Sequence, residues 1–182
     1  MSLHAFGEEY CELVRNWRNS REVYYNLFTW VHITPEMQKQ WYDSKTRSGE
    51  INNYFIIKEN KNSTPIGLIY AGAVELAHQR ATFGFFIPDE KSRLPGFAME
   101  AEFLFLNYQF DHCNLNKITC DVFLFNEAVV NMHKKFGFEV EGHLKEHIMH
   151  DGTLKDVILL GLRKSRYSEF RPKIAKLIDR LG

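Results

Sequence analysis

The stretch FFIPDEKSRLPGFA, residues 85–98, decides the fold of this 182-residue chain. It joins an apolar run at 81–87, which predicts a strand, to an apolar pattern of helical period at about 96–112. The loop between them is bounded by prolines. A glycine-bearing loop that opens a helix presents free backbone N–H groups and the positive end of the helix dipole. The junction therefore predicts an anion site suited to a pyrophosphate.

Individual residues of this junction support the phosphate interpretation. Arg93 supplies a fork-shaped donor, and Gly96 and Ala98 let the backbone approach the phosphates closely. Pro95 has no N–H, so the other amides are expected to donate. The pattern R-x-x-G-x-A is weak by itself, and its position between a strand and a helix gives it weight.

The rest of the chain predicts an α/β protein with a mixed sheet. Strands at 53–58, 66–76 and 81–87 follow one another with short turns, which predicts an antiparallel meander. Asp151-Gly152 is a strong hairpin signal. Only about seven residues precede the first helix, and they do not predict a strong strand: either that strand is very short, or the chain starts late. The other predicted elements are helices at 8–19, 34–47 and 127–136, strands at 117–123, 138–149 and 154–162, and a tail helix at 163–182.

Composition excludes several classes of protein. A hydrophobic fraction of 45% and a charged fraction of 25% are typical of a folded globular protein. No apolar run is long enough to span a bilayer, and the N-terminus lacks the pattern of a secretory signal. The three cysteines form no CxxC pair, so we expect free thiols in a reducing cytoplasm. No repeat or linker interrupts the chain, which predicts one domain over residues 1–182.

The charge is balanced overall but divided along the chain. The 23 basic and 23 acidic residues give a net charge of zero, which argues against a nucleic-acid binder. The segment 163–182 nevertheless carries seven basic and two acidic residues, so an acidic body is joined to a basic tail. The tail is either a solvated amphipathic helix or a site for an anionic partner.

Two motifs in the right order make the chain resemble the GCN5-related N-acetyltransferase (GNAT) family over roughly residues 13–163. The family's R-x-x-G-x-A loop matches Arg93, Gly96 and Ala98. A second family motif, N-x(7)-[K/R]-x-G-F-x-x-x-G, is similar to the stretch that begins at Asn126. The resemblance implies the GNAT fold, in which helices flank a central, mixed and mostly antiparallel sheet, and two splayed parallel strands form the cleft for acetyl-CoA.

The resemblance also implies where the acetyl donor binds. In the family, the strand before the loop pairs with pantetheine through its backbone, the loop holds the pyrophosphate, and the asparagine contacts the CoA arm. No metal is expected, because His143 and His147 lie too far apart on one strand face to chelate an ion readily and His150 points the other way. The residues expected to bind acetyl-CoA are Phe85, Phe86, Ile87, Arg93, Leu94, Pro95, Gly96, Phe97, Ala98 and Asn126.

Within the family, the nearer resemblance is to bacterial acetyltransferases of nucleotide-linked 4-amino sugars, the pseudaminic acid pathway subgroup. It rests on WRNS at 17–20, TPE at 34–36, VNMHKKFGF at 130–138 and EGHLKEH at 141–147. It implies direct attack of a sugar amine, on a UDP-linked acceptor, upon acetyl-CoA in a ternary complex, and a homodimer is a compatible assembly. Two alternatives stay open: a ribosomal-protein N-terminal acetyltransferase, and a CoA-binding module without catalysis.

The chain departs from the family at both usual catalytic positions. Many members carry a tyrosine seven residues after the asparagine as general acid; here His133 is either that acid or a packed helix residue. Many members also carry a glutamate base in the third meander strand. The corresponding strand of this chain has no carboxylate. Glu75 and His78 lie nearby in sequence and are candidates to act through water, with a surface role as the alternative. A backbone N–H of Phe85 or Phe86 is expected to polarise the thioester carbonyl.

Further residues are candidates for the acceptor side. Arg18 ends the first helix, where the resembling sugar enzymes carry a basic residue, so it is expected to bind the acceptor's phosphates or else to interact with the helix dipole. Gln38 and Trp41 on the next helix are candidates for the acceptor wall, and Trp41 is alternatively part of the core. His147 is a further candidate from the C-terminal hairpin.

Overall fold

The structure is a computed structural model that describes residues 1–89 and 95–181. Arg93 and Leu94, which the sequence assigns to the phosphate loop, lie outside the described residues. The helices are α1 Cys11–Asn19, α2 Arg21–Tyr24, α3 Pro35–Ser48, α4 Pro95–Asn107, α5 Glu127–Lys135 and α6 Lys164–Leu181. The strands are β1 Ser2–Ala5, β2 Tyr54–Lys58, β3 Pro65–Glu75, β4 Arg80–Phe86, β5 Lys117–Phe123, β6 Glu139–His150 and β7 Thr153–Arg163.

The seven strands are hydrogen bonded in the order β1-β2-β3-β4-β5-β7-β6. Strands β4 and β5 are parallel, whereas β1–β2, β2–β3, β5–β7 and β6–β7 are antiparallel pairs. The predicted mixed α/β fold, with helices flanking the sheet, is thereby confirmed. The chain forms two compact units, Met1–Gly72 with Gly84–Leu104 (unit 1) and Ala73–Phe83 with Phe105–Gly182 (unit 2).

The first strand of unit 1 is short, and the sequence left its presence open. Residues Ser2–Ala5 pair antiparallel with β2, from Ser2↔Lys58 to Ala5↔Phe55. With four residues, β1 is the very short strand that the sequence left open as one alternative. The side chains of β1 are half-buried or exposed, so this strand is held through its backbone ladder and leaves no apolar alternation in the sequence.

A clamp closes the segment 20–33 that joins α1 to α3 in unit 1. The Asn19 side chain donates from Nδ2 to the carbonyl of Ile33 (2.9 Å) and accepts from the Ile33 N–H (2.8 Å). Arg15 Nη1 also donates to the Ile33 carbonyl (3.2 Å). The next helix begins as the sequence predicts, because Thr34 Oγ1 accepts from the Met37 N–H. The two ends of the segment are therefore tied to the last turn of α1 and the cap of α3.

Unit 2 is built around β7, which pairs with β5 on one side and β6 on the other. Asp151 and Gly152 both have positive φ, 50° and 74°, as a primed hairpin turn requires, so the predicted β6–β7 hairpin is confirmed. The core includes fully buried Phe105, Leu106 and Leu160.

The basic tail of the sequence is helix α6, which packs on unit 2. Tyr167 and Ile174 are buried, and Arg166 Nε donates to the Gly137 carbonyl (2.7 Å). Arg171 forms an ion pair with Asp111 (2.8 Å). These contacts favour an amphipathic structural helix over a dedicated site for an anionic partner. In the part of the chain that is described, no helix is both long and apolar enough to cross a bilayer.

Candidate active site

Of the predicted phosphate-binding junction, the structure describes the end of β4 and the start of α4. Helix α4 begins at Pro95, and Gly96, Phe97 and Ala98 form its first turn. The first turn of a 13-residue helix has backbone N–H groups without intrahelical partners, which suits a phosphate. These residues therefore fit the pyrophosphate of acetyl-CoA.

Strand β4 leads into this junction. Its register with β5 runs from Arg80↔Lys117 to Thr82↔Thr119, whereas β4 itself continues to Phe86. Parallel neighbours at this position were expected from the family resemblance. Phe85 and Phe86 are half-buried at the end of the strand, and Ile87 is buried. Their contact with pantetheine stays a prediction.

A row of residues crosses three strands of unit 1 beside this segment. Tyr54 of β2 is the register partner of Tyr70 of β3, and the two rings stack at 4.9 Å with an angle of 6°. Gly84 of β4 continues the row: a Cβ built there would lie 2.7 Å from both Cζ and Oη of Tyr70. Glycine is required because the hydroxyl end of Tyr70 rests on the bare backbone of β4.

Arg18, in the last turn of α1, lies near two members of this row. Its side chain is half-buried, and it is close enough to Tyr70 and Tyr54 to interact with them electrostatically. Burial lowers the pKa of the Arg18 guanidinium, and the two tyrosines partly offset that effect. Among the described residues, Arg18 makes no ion pair and no side-chain hydrogen bond. We call Arg18, Tyr54, Tyr70 and Gly84 the acceptor patch.

Both phenols of the acceptor patch are protonated at neutral pH. Burial raises the pKa of Tyr54 to about 12, to which the neighbouring Tyr70 contributes. Burial also raises the pKa of Tyr70, and the Arg18 guanidinium lowers it in part. The patch therefore presents a desolvated cation together with hydroxyl donors. Sequence analysis singled out Arg18 but missed the two tyrosines, because only the strand register aligns them.

Of the two α3 candidates, Trp41 contacts a residue of the acceptor patch, whereas Gln38 lines a separate pocket. Trp41 packs edge-on against Phe6 at 5.7 Å and against Tyr54 at 5.2 Å, which favours its core alternative. Gln38 is 4% exposed, and its Nε2 has no hydrogen-bond partner among the described residues. Gln38 lines a pocket of about 200 Å³ whose lining does not include Arg18. The other lining residues are Glu8, Glu9, Cys11, Glu12, Pro35, Lys39 and Tyr42.

In unit 2, the two residues of the second motif lie on α5. Asn126 caps the helix, with its carbonyl accepting from the N–H groups of Val129 and Val130. The His133 ring is 2% exposed and makes ring contacts with Phe83 (5.4 Å) and Phe138 (5.1 Å). This burial favours the packing alternative for His133, and its role as an acid stays a prediction.

The two candidate bases of unit 2 lie at the surface. Glu75 forms an ion pair with Arg80, with Nη2 at 2.8 Å and Nε at 3.0 Å from its Oε1. His78 ends a short 3-10 turn and is exposed. Arg80 is the first residue of β4, so Glu75 is paired with a residue at the start of that strand. These observations favour the surface role for both residues.

His147 lies in an irregular part of the β6–β7 hairpin. The pairing shifts between Leu144 and Ile148, and Asp156 of β7 secures the irregularity by accepting from the N–H of Glu146 (2.9 Å) and contacting His143 Nε2 (2.6 Å). Irregularities of this kind redirect side chains. His147 interacts electrostatically with Asp121 of β5, and its role on the acceptor side stays a prediction.

Lowering the pH should destabilise the β6–β7 hairpin, because the Asp156 carboxylate becomes protonated. The Glu146 N–H, then His143, hold the pKa of the Asp156 carboxyl below its ordinary value of 3.8. A lowered folded-state pKa gives stability that is present above the unfolded pKa and is lost as the pH falls through the folded pKa. We therefore expect Asp156→Asn to lower the free energy of unfolding at pH about 7 but to change it little at pH about 2.5, measured by urea unfolding. An equal effect at both pH values would contradict this origin.

The comparisons with known proteins agree with the fold. The family model "Acetyltransferase (GNAT) domain" matches residues 2–139. The chain therefore belongs to the GNAT acetyltransferase family. It is an N-acetyltransferase, and acetyl-CoA is its acyl donor. Within 1–89 and 95–181, no group of three or more His, Cys, Asp or Glu side chains is placed to hold a metal ion.

Two curated relatives are similar to parts of this chain. The chain is 27% identical to the SPbeta prophage-derived N-acetyltransferase YokL of Bacillus subtilis, over 71% of each protein. It is 32% identical to spermidine N(1)-acetyltransferase of Escherichia coli K12, over 53% of this chain and 54% of that enzyme. The chain thus matches about half the length of the spermidine enzyme.

Solved structures show the same fold. The spermidine N-acetyltransferase of Vibrio cholerae, in complex with CoA and spermine, superposes with a TM-score of 0.85 at 24% identity. The match covers 92% of this chain and 97% of that one. The Escherichia coli and Vibrio cholerae enzymes are named for the polyamine spermidine. These two enzymes do not support the resemblance to the nucleotide-sugar subgroup.

Proposed function

We propose that this N-acetyltransferase acts on an amine whose molecule also carries a phosphate, most simply the 4-amino group of a nucleotide-linked sugar. One observation carries the proposal: the half-buried Arg18 guanidinium lies beside two phenols and has no carboxylate partner among the described residues. A desolvated cation without a counter-ion is unfavourable unless an anion binds there.

Charge distinguishes this acceptor from a polyamine. A polyamine is a polycation, and placing it beside the uncompensated guanidinium of Arg18 would add like-charge repulsion where burial weakens screening. A phosphate would instead receive a forked, charge-assisted donor, with Tyr54 and Tyr70 as further hydroxyl donors. The chemistry of the acceptor patch therefore supports an anionic acceptor.

A polyamine acceptor is the second candidate, and a different observation favours it. The pocket of about 200 Å³ is lined by Glu8, Glu9 and Glu12, of which Glu12 is paired with Arg15. Two named relatives are spermidine acetyltransferases. We rank this candidate second because the pocket does not include Arg18, the tyrosine pair or Gly84.

The residues of unit 1 have separate tasks in the proposed reaction. The first turn of α4 holds the phosphates of acetyl-CoA, and β4 residues Phe85 and Phe86 orient its acyl arm through the backbone. Arg18 fixes the acceptor through its phosphate, so that the neutral amine attacks the thioester directly. A homodimer stays an expectation for the assembly; a structural relative from Vibrio cholerae is described as dodecameric.

The acceptor class is tested by thiol release from acetyl-CoA with three amines: a UDP-linked 4-amino sugar, spermidine and a ribosomal-protein N-terminal peptide. We expect the highest kcat/KM with the nucleotide sugar. We further expect Arg18→Gln to lower that value by about 10- to 100-fold, the size of a lost charge-assisted hydrogen bond.

The matched control is Arg47→Gln. Arg47 is likewise an arginine in the last turn of a helix, α3, but it is exposed. The Arg47→Gln variant removes the same charge and should leave kcat/KM unchanged. Both variants should bind CoA as the wild type does. A higher kcat/KM with spermidine than with the nucleotide sugar would overturn the proposal in favour of the second candidate.

A further inference from the structure

We infer that the hydroxyl of Tyr70 donates the proton that the departing CoA sulfur takes up. This goes beyond the identity of the acceptor, because every amine acetylated from acetyl-CoA releases the same thiol. It rests on the proposed placement of the acyl arm along residues 85–87. Nothing in the sequence pattern of the two family motifs points to this residue.

Position is the first argument. The row Tyr54–Tyr70–Gly84 brings the phenol of Tyr70 onto the backbone of β4, with Oη where a Cβ of residue 84 would come within 2.7 Å. Gly84 is followed directly by Phe85, where the acyl arm is expected. Tyr70 of β3 is the phenol beside β4, whereas Tyr54 lies one strand farther away, so of the two stacked phenols Tyr70 is the nearer to the expected acyl arm.

The electrostatic setting suits an acid. Burial raises the pKa of Tyr70, so the hydroxyl holds its proton at neutral pH. The adjacent Arg18 guanidinium acts in the opposite sense and stabilises the phenolate that remains after the proton has left. Arg18 has five N–H donors, so it can face both a phenolate and an acceptor phosphate.

The other candidates are less well placed for this task. His133 is 2% exposed, with its ring against Phe83 and Phe138. Glu75 is in an ion pair with Arg80. Tyr70 thus takes the part that the family usually gives to a tyrosine at the position of His133.

The step balances as follows. The lone pair of the neutral amine nitrogen forms the new C–N bond to the thioester carbonyl carbon. The C–S bond breaks, its electron pair stays on sulfur, and sulfur takes the proton from Tyr70 Oη. The nitrogen loses one proton to water, and the phenolate of Tyr70 takes one proton from water. The products are the acetamide and CoA thiol.

The first test compares Tyr70→Phe with Tyr54→Phe, two variants that each remove one hydroxyl from the same stacked pair. With whichever of the three amines is turned over, Tyr70→Phe should lower kcat by about 100-fold or more and leave KM for acetyl-CoA unchanged. Tyr54→Phe removes a hydroxyl donor of the acceptor patch, so it should raise KM for the acceptor amine while kcat falls far less than in Tyr70→Phe. Equal losses of kcat in Tyr70→Phe and Tyr54→Phe would overturn the inference.

The second test needs no acceptor and no turnover. A 3-fluorotyrosine at position 70 reports on its own hydroxyl through its fluorine resonance and its titration. We expect CoA to shift both the resonance and the pKa of the labelled residue, and desulfo-CoA, which lacks the sulfur, to shift them far less. The same response to both ligands, or no response to CoA, would overturn the role of Tyr70. A label at position 54 should not distinguish the ligands.

Discussion

Replacing Gly84 by alanine is expected to lower kcat/KM by about 100-fold, because it displaces the Tyr70 phenol from its place on β4. The new Cβ would lie 2.7 Å from Tyr70 Cζ and Oη and 2.9 Å from Cε1. The ring cannot turn aside freely because it is stacked on Tyr54 at 4.9 Å. The variant should also lose about 1–3 kcal/mol of unfolding free energy, as overpacked sites do. Steady-state kinetics and urea unfolding measure the two effects.

A double-mutant cycle identifies the cause of that loss. In a Tyr70→Ala background the clash is absent, so Gly84→Ala should no longer cost stability. Activity should stay low in the double variant, because the hydroxyl is missing. If Gly84→Ala destabilises both backgrounds equally, contact with Tyr70 is not the reason for the glycine.

The largest loss of stability is expected from Leu106→Ala, at about 2–5 kcal/mol. Leu106 belongs to α4 and has no exposed surface, so truncation removes buried methyl groups and leaves a cavity. Leu76→Ala is the matched control: the chemical change is identical, but Leu76 is 71% exposed. The control should change the free energy of unfolding by at most about 0.5 kcal/mol.

Urea unfolding at neutral pH measures both leucine variants under one condition. The comparison separates burial from helix or turn propensity, because both variants introduce alanine. Similar small effects in the two variants would contradict the described burial of Leu106 in unit 2.

Elements with local chemical signals could be predicted from the sequence. Thr34 caps α3, Asp151-Gly152 turns the β6–β7 hairpin, and helix α4 begins at Pro95. In each case the residues at the boundary themselves set the backbone geometry, through a side-chain acceptor or a tolerated φ. Such signals need no knowledge of the rest of the fold.

Elements that depend on distant partners were missed or left open. Strand β1 is recognisable only through its ladder with β2, and the four-residue helix α2 is too short to show a period. The helix predicted to run to residue 112 is α-helical only to Asn107, and Tyr108–His112 continues as a π-helix. No local residue choice marks that change, so it reflects packing within the folded chain.

The candidate site likewise combines residues with local sequence signals and residues that only distant pairing brings together. Arg18 was found because a cation at a helix end is visible in sequence, and the α4 junction because glycine and proline mark it. Tyr54, Tyr70 and Gly84 are 16 and 14 residues apart, and only the pairing of β2 with β3 reveals them as a row. Likewise the burial of His133 follows from Phe83 and Phe138, which no spacing rule connects to it.

The clamp made by Asn19 has a consequence for how this enzyme could change its substrate. Because Ile33 is tied to Asn19 at both its N–H and its carbonyl, the exposed residues between these two anchors, but not the buried Val23, can be exchanged while α1 and α3 keep their ends. The exposed positions of segment 20–33 can therefore vary while the helices on either side stay in place. Laboratory selection for new amine specificity should begin there, with Asn19 and Ile33 held fixed.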